Sequence, residues 1–540
     1  MKKIIVLLII SFSQLLSFSQ DQKPKLVVGV VVDQMRYEYL SRFNAHFSEN
    51  GFKKLMNDGF FAQNTHFSYV PTYTGPGHAT VFTGTTPANH GIISNYWYDK
   101  FTNQGAYCVA DDAITSVGTP SNAGKMSPHR MLTTTIGDQN RLHTQFRGKT
   151  FGVSIKDRGA ILPAGHTANA AYWFVGEDEG KFVSSSFYMD ELPKWVKKFN
   201  KNTSRYFKVW ETIKPISSYV ESGPDNTDYE VGFKGKDTPT FPYNLEKLKS
   251  ENKNFDILKT TPFANDMLTD FALQMIKNEE LGKDNDTDFL TLSYSSTDYA
   301  GHNFGVNAKE IQDMYIRLDD NIARLIDALD KEVGKGNYTL FLTSDHGVVH
   351  VPQLLKDIKI PAGYIYINNL RNDIKAFVEE KFGDKTLIEE ISSQNIFFDY
   401  AKLDEAGIKP ETLERALYYF LLQYDKIDRV FTREMIEFSN AGSLFSSTIK
   451  NGFHPKRSGD VIFVFEPAHI SSYSKKGTTH GTYFSYDTQA PLLFYGQGIV
   501  NKRSYKRYNI RDIAPTIAAL LQIAQPNGTT GKIIEEAIKP

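Results

Sequence analysis

Cysteine is almost absent from this chain of 540 residues: Cys108 stands alone. A disulfide scaffold and a thiolate zinc site are both excluded by that count. An excess of one charge is missing too, because 61 Lys plus Arg face 62 Asp plus Glu, which gives no electrostatic reason to expect nucleic acid as a partner. Fixed-period repeats and low-complexity tracts are lacking. What is present is 41% apolar and 13% aromatic content in a long chain. That is enough for a large core and excludes a disordered or collagen-like chain.

The N-terminus has its own grammar. Met1-Lys2-Lys3 precede an apolar run from Ile4 to Ile10, and the residues from Ser11 to Gln20 become more polar. A basic start, a short apolar middle and a polar end read as an export signal over 1–20. Its removal leaves 59 basic against 62 acidic residues. Cys108 lies far from the cleavage region, so no lipid-anchor cysteine follows it, and no later run has the length of a membrane span. A soluble protein of a bacterial periplasm, or a secreted one, is expected, without a membrane anchor.

Apolar runs at 26–32, 151–155, 289–294, 338–342, 461–465 and 492–495 are continuous rather than alternating. Such runs predict strands covered on both faces, in a mostly parallel or mixed sheet. Between them Ile311, Met314, Leu318, Ile322, Leu325 and Leu329 recur at helical spacing, as do Met267, Phe271 and Met275, and a further helix is predicted near Ile513. The expected architecture is an α/β sandwich with helices flanking a central sheet. One catalytic unit spans 21–540, with insertions over the sheet at about 184–255 and 352–453.

Chemistry-bearing residues sit where the strands should end. Asp33 follows the run at 26–32, Asp298 closes the segment that opens at Phe289, and Asp345 follows the run at 338–342. In open α/β sheets ligands bind beyond the carboxyl ends of strands, so the three carboxylates can converge. A single Asp more often caps the next helix. Here each has histidine company: His302 lies four residues after Asp298, His346 follows Asp345, and His480 sits in a loop of small residues. Imidazoles with carboxylates suit zinc, and six ligands in two groups of three suit a two-metal site.

The segment Pro71-Thr72-Tyr73-Thr74-Gly75-Pro76-Gly77-His78 places hydroxyls beside glycines at a predicted turn into a helix. A threonine there could attack phosphorus, and the helix N-terminus favours an anion. Asn95 offers amide donors. Lys156 and Arg158 follow the run at 151–155, and if that end stays extended, alternation turns both to one face, where they could hold phosphate oxygens. A solvated charge pair is the bland alternative.

These residues together resemble the alkaline phosphatase superfamily, specifically the PafA-type bacterial alkaline phosphatases. The likeness runs from Asp33 to the Asp512-Ile-Ala-Pro-Thr-Ile segment. It implies two Zn2+ ions, one held by Asp298, His302 and His480, the other by Asp33, Asp345, His346 and the Thr74 oxygen. It implies Thr74 as nucleophile, with Thr72 as the competing hydroxyl, and Asn95, Lys156 and Arg158 as phosphoryl ligands. The implied activity is hydrolysis of small-molecule phosphate monoesters through a phosphothreonine, with broad specificity and an alkaline optimum. A phosphodiesterase or nucleotide pyrophosphatase of the same superfamily is the alternative, and a noncatalytic zinc- or phosphate-binding protein a weaker one. Phosphonate hydrolases and phosphomutases of the superfamily also carry little weight, and a sulfatase would need Cys or Ser in place of Thr74. Oligomeric state is not legible, and a monomer is compatible with the sequence.

Overall fold

The computed structural model describes residues 23–438, 444–472 and 474–539; the expected export signal lies outside them. The main sheet has ten strands: β1 (Leu26–Val32), β2 (Phe60–His66), β3 (Ser116–Val117), β4 (Thr150–Ser154), β5 (Ala170–Val175), β6 (Lys181–Ser185), β7 (Asp288–Tyr294), β8 (Tyr338–Thr343), β9 (Gln489–Gly496) and β10 (Lys502–Asn509). Their order is β10-β2-β9-β8-β1-β7-β4-β5-β6-β3. The central run from β8 to β5 is wholly parallel. β9 is antiparallel to both β8 and β2, and β6 is antiparallel to β5.

Continuous apolarity in β1 has a direct cause, since its two faces serve two different cores. Leu26, Val28, Val30 and Val32 pack into one large cluster. That cluster includes residues of the helices Pro262–Asn278 and Lys309–Leu329. Val27 and Val31 face the other, which holds Val81 and Phe82 of helix α1 (Thr74–Thr83) with Ile513 and Ile517 of the C-terminal helix. With every β1 residue buried, each valine removed from water stabilises the fold by about 1.5–3 kcal/mol.

The run at 461–465 departs from expectation. It forms the strand Val461–Phe465, but outside the main sheet, pairing with Asn395–Phe398 and Ile427–Thr432 in a separate four-stranded sheet. That sheet has its own core, including Leu370, Leu413 and Leu417. A fully buried strand gives the same apolar run in either sheet, so periodicity alone could not place it.

Candidate metal centre and active site

The carboxyl ends of four neighbouring strands, β8, β1, β7 and β4, finish side by side. Val32 is level with Tyr294 and Val31 with Thr343. Asp33 is the next residue after β1, Asp345 comes two after β8, Asp298 lies in the first turn of helix Ser296–Phe304 after β7, and Lys156 comes two after β4. Chain turns that begin at the same level therefore bring residues hundreds of positions apart into one place.

Ligand atoms of Asp33, Asp345 and His346 lie within 4.8 Å of one another, and so do those of Asp298, His346 and His480. Asp33, Asp345 and His346 are fully buried. Asp33 Oδ1, Asp345 Oδ2 and His346 Nε2 have no hydrogen-bond partner. Orphaned buried oxygens and nitrogens aimed at a common point are the donor set a cation satisfies. His302 stands on the outer side, with Nε2 3.1 Å from Asp298 Oδ1. The His346 and His480 rings stack at 3.5 Å.

Each imidazole is oriented by the chain. Nδ1 of His302 donates to the Thr478 carbonyl at 2.7 Å, that of His480 to the Thr72 carbonyl at 2.7 Å, and that of His346 to the Gly347 carbonyl at 3.0 Å. Each Nδ1 thereby carries a proton and every Nε2 is turned toward the acids, which is how protein scaffolds prepare metal-binding histidines. Burial pushes the His346 and His480 pKa values down, whereas the Asp298 charge overcomes burial and raises His302.

The three acids differ. Burial, reinforced by the Asp345 charge, pushes the Asp33 carboxyl well above the usual range. Burial acts the same way on Asp298 and Asp345, but the His302 and Lys156 charges hold Asp298 well below that range, and His346 and His78 hold Asp345 below it. Lys156 Nζ bridges Asp33 Oδ2 at 2.8 Å and Asp298 Oδ2 at 2.5 Å. These two carboxylates keep the ammonium protonated against its burial.

Lys156 reaches the buried acids and Arg158 lines the cleft beside it, but strand alternation does not bring them there. β4 ends at Ser154, and a helix begins at Asp157 (Asp157–Ala164), so Lys156 caps the helix and Arg158 lies in its first turn. Arg158 Nη1 donates to the Tyr107 hydroxyl at 3.0 Å, and its Nε is buried without a partner. Tyr107 in turn donates to Asp157 at 2.5 Å. A cleft of about 590 Å³ adjoins this pair, lined among others by Tyr107, Trp173, Lys259 and Tyr299.

Thr74 opens α1, with Tyr73 still extended before it. Asn95 Oδ1 accepts from the Gly75 backbone N–H at 2.7 Å, which holds the Asn95 side chain against the first turn of α1. Thr72 is placed otherwise: its hydroxyl donates to the Thr482 carbonyl at 2.8 Å. Gly77 is required by close approach, because a Cβ there would lie 2.3 Å from the Asp345 carbonyl oxygen.

Two contributors had no role assigned to them from the sequence. Gln34, in the left-handed region at φ 66°, donates from Nε2 to Asp298 at 2.7 Å and from its backbone to Asp345 at 3.1 Å. His78 lies with Nδ1 2.9 Å from the Thr74 carbonyl and 3.2 Å from Asp345 Oδ2. The hint for Gln34 was its place beside Asp33, and for His78 its place four residues after Thr74, one helical turn.

A mostly parallel sheet carrying two overlapping buried triads of Asp and His at its carboxyl edge is the setting of a binuclear metal site. The family model for type I phosphodiesterase / nucleotide pyrophosphatase matches residues 27–487. Alkaline phosphatase PafA of Elizabethkingia meningoseptica is 41% identical over 520 residues, covering 96% of this chain and 95% of that protein. A Myroides odoratus protein named calcium-transporting ATPase is 44% identical over 524 residues, again 96% and 95% of the two chains. The crystal structure of wild-type PafA superposes with a TM-score of 0.93 at 41% identity, over 96% of this chain and 99% of that one. The chain belongs to the alkaline phosphatase superfamily, among its PafA-type alkaline phosphatases, which are phosphomonoesterases. Among the described residues no helix is long and apolar enough to cross a membrane.

Proposed function

We propose that this protein is an exported, zinc-dependent alkaline phosphatase that hydrolyses phosphate monoesters through phospho-Thr74, with broad specificity. The observation that carries the reading is the set of orphaned ligand atoms on Asp33, Asp345 and His346, next to three histidines whose Nε2 atoms are all turned inward. A mixed set of imidazole and carboxylate donors suits Zn2+, where Mg2+ would favour oxygen alone. Asp33, Asp345 and His346 would hold one ion with Thr74; Asp298, His302 and His480 would hold the other. His346 has a single free Nε2, so two ions need His302, whose Nε2 already faces Asp298. Bound there, the pair would supply Lewis-acid stabilisation of the entering and leaving oxygens.

The chain's own residues do the rest. Thr74 Oγ1 gives up its proton and bonds to phosphorus as the bond to the substrate oxygen breaks, and the departing alkoxide takes up a proton to leave as the alcohol; water then gives up a proton and forms the new P–O bond as the Thr74 Oγ1–P bond breaks, restoring the Thr74 hydroxyl and giving inorganic phosphate. Thr74 is favoured over Thr72 because the Thr72 hydroxyl is already committed to Thr482. Asn95 Nδ2, Lys156 and the unpartnered Arg158 Nε would bind the nonbridging oxygens. Two cations suit a monoester dianion better than a diester monoanion. The stretches 184–255 and 352–453 would be insertions on a single catalytic unit, and 1–20 an export signal.

The diesterase alternative is favoured by the family model and opposed by the basic pair. Phosphate release from a chromogenic monoester, before and after chelation, tests the reading, with Thr74→Ala as control. Activity should vanish on chelation and return with zinc; retention of activity after chelation, or a strong preference for the diester of the same alcohol, would sink it.

A further inference from the structure

A second group of buried acids lies outside the central site. Glu310, in helix Lys309–Leu329, is fully buried, and Glu230 is 1% exposed. Asp225 and Thr227 approach in a segment whose residues alternate inward and outward: 225, 227 and 229 are half-buried, while 224, 226 and 228 are exposed. One side-chain oxygen on each of Asp225, Glu230 and Glu310 is buried with no hydrogen-bond partner, and the Thr227 hydroxyl faces Glu230. Among the described residues no Lys, Arg or His nitrogen comes within ion-pair distance of these three acids. The cations that face them, Lys236 and Lys309 toward Asp225 and Lys476 toward Glu230, act at longer range.

Asp313, one turn along the same helix, shows how this fold satisfies a buried acid. It accepts from the Ile213 backbone, the Tyr219 hydroxyl, the Trp210 indole and Arg317. Glu310 takes its side-chain donor from the Tyr243 hydroxyl at 2.6 Å, with no cation beside it among the described residues. Burial and, next, the Glu310 charge push the Glu230 carboxyl up to about 9, and burial pushes Glu310 up to about 8. Unpaired charge at such depth is costly unless a cation or a proton neutralises it.

We propose that Asp225, Thr227, Glu230 and Glu310 form a Ca2+ site. The donors are all oxygen, which selects a hard cation, and Ca2+ tolerates the irregular, flexible geometry that Mg2+ does not. Among the described residues only the central triads bring three His, Cys, Asp or Glu ligand atoms within 4.8 Å of one another, so the outer oxygens would have to draw together around the ion. Closure has a structural consequence. The Val231 backbone donates to the Asn303 carbonyl and Gly477 to that of Tyr229, so the same segment is stitched to the helix bearing Asp298 and His302 and to the loop bearing His480. Ca2+ would clamp this segment onto the elements that carry the catalytic ligands, without touching substrate.

The test uses the full-length, zinc-loaded protein, stripped of calcium and titrated with CaCl2. One Ca2+ should bind per chain by equilibrium dialysis, and Tm should rise by about 3 °C or more at saturation. Tb3+ at the site should show emission sensitised by Tyr243. The double variant Glu230→Gln/Glu310→Gln should lose all three responses while keeping monoester turnover. Asp225→Asn/Thr227→Val, which leaves the buried glutamates in place, should weaken binding about 10-fold or more if the first variant does not fold. Because binding and Tm are read rather than activity, failure here is separable from failure of the phosphatase reading. No binding and no Tm change up to ~10 mM, above the ~10⁻⁴–10⁻³ M range of extracellular calcium modules, would overturn the proposal in favour of a proton shared between the glutamates. So would an equal Tm rise with Mg2+, or a response that persists in the double variant.

Discussion

The molecule buries two groups of three acids, and it treats them oppositely. Asp33, Asp298 and Asp345 sit among imidazoles and carry an internal cation, with Lys156 Nζ on two of them. Asp225, Glu230 and Glu310 have no ion pair among the described residues, and the one hydroxyl bonded to Glu310 comes from Tyr243. Burial acts upward on all six carboxyls. In the inner group positive neighbours reverse it for Asp298 and Asp345, while in the outer group nothing does. Depth alone therefore says little about charge state, which the neighbouring donors decide. Mixed nitrogen and oxygen donors in the inner group are what the zinc proposal rests on, and oxygen alone in the outer group is what the calcium proposal rests on.

The largest effects should come from the inner group's cations. Lys156→Ala or Arg158→Ala should lower monoester kcat/KM by about 10²–10⁴, with a much smaller loss on a diester of the same alcohol. Equal losses on both substrates would remove the basic pair from its proposed role. Lys156→Ala should also lower the Tm of the chelated protein, because Asp33 and Asp298 lose their shared partner.

Next is the support behind the ligands. His78→Ala frees Asp345, and zinc affinity measured by competition with a chromophoric chelator should fall about 10–100-fold. An unchanged affinity would make His78 a core residue only.

The pH dependence sharpens the contrast between the groups. In calcium-free protein the outer glutamates hold protons more tightly folded, at about 9 and 8, than at their ordinary 4.5. Their contribution to stability is thus full below about pH 4.5 and lost as pH rises through about 8 to 9. Between pH 5 and 9 the Tm of the calcium-free protein should fall relative to that of Glu230→Gln/Glu310→Gln; parallel curves would contradict the buried positions. Smallest of all, that double variant should change monoester turnover by less than about twofold.

Much of this candidate site could be read from sequence, because Asp33, Lys156, Asp298 and Asp345 follow the fully buried strands β1, β4, β7 and β8, whose apolar runs are unmistakable. β2 and β10 could not be read the same way. β10, with the sequence Lys-Arg-Ser-Tyr-Lys-Arg-Tyr-Asn, lies at the sheet edge with only two of its residues buried, so it carries no apolar run. Alternation misplaced the route to Lys156 and Arg158 because the chain turns helical at Asp157. Gln34 and His78 act only through geometry that long-range pairing creates. The outer acids were silent for a related reason, since Glu310 on an amphipathic helix looks like a solvated residue until Tyr243 and Glu230 are packed over it.

The most direct measurement is an acid quench during turnover of a monoester, followed by mass spectrometric mapping of the trapped phosphate. Phosphate on the peptide containing Thr74, absent in Thr74→Ala and in chelated protein, is the result predicted here. Phosphate on Thr72, or steady turnover with no phosphorylated peptide and full activity in Thr74→Ala, would contradict it.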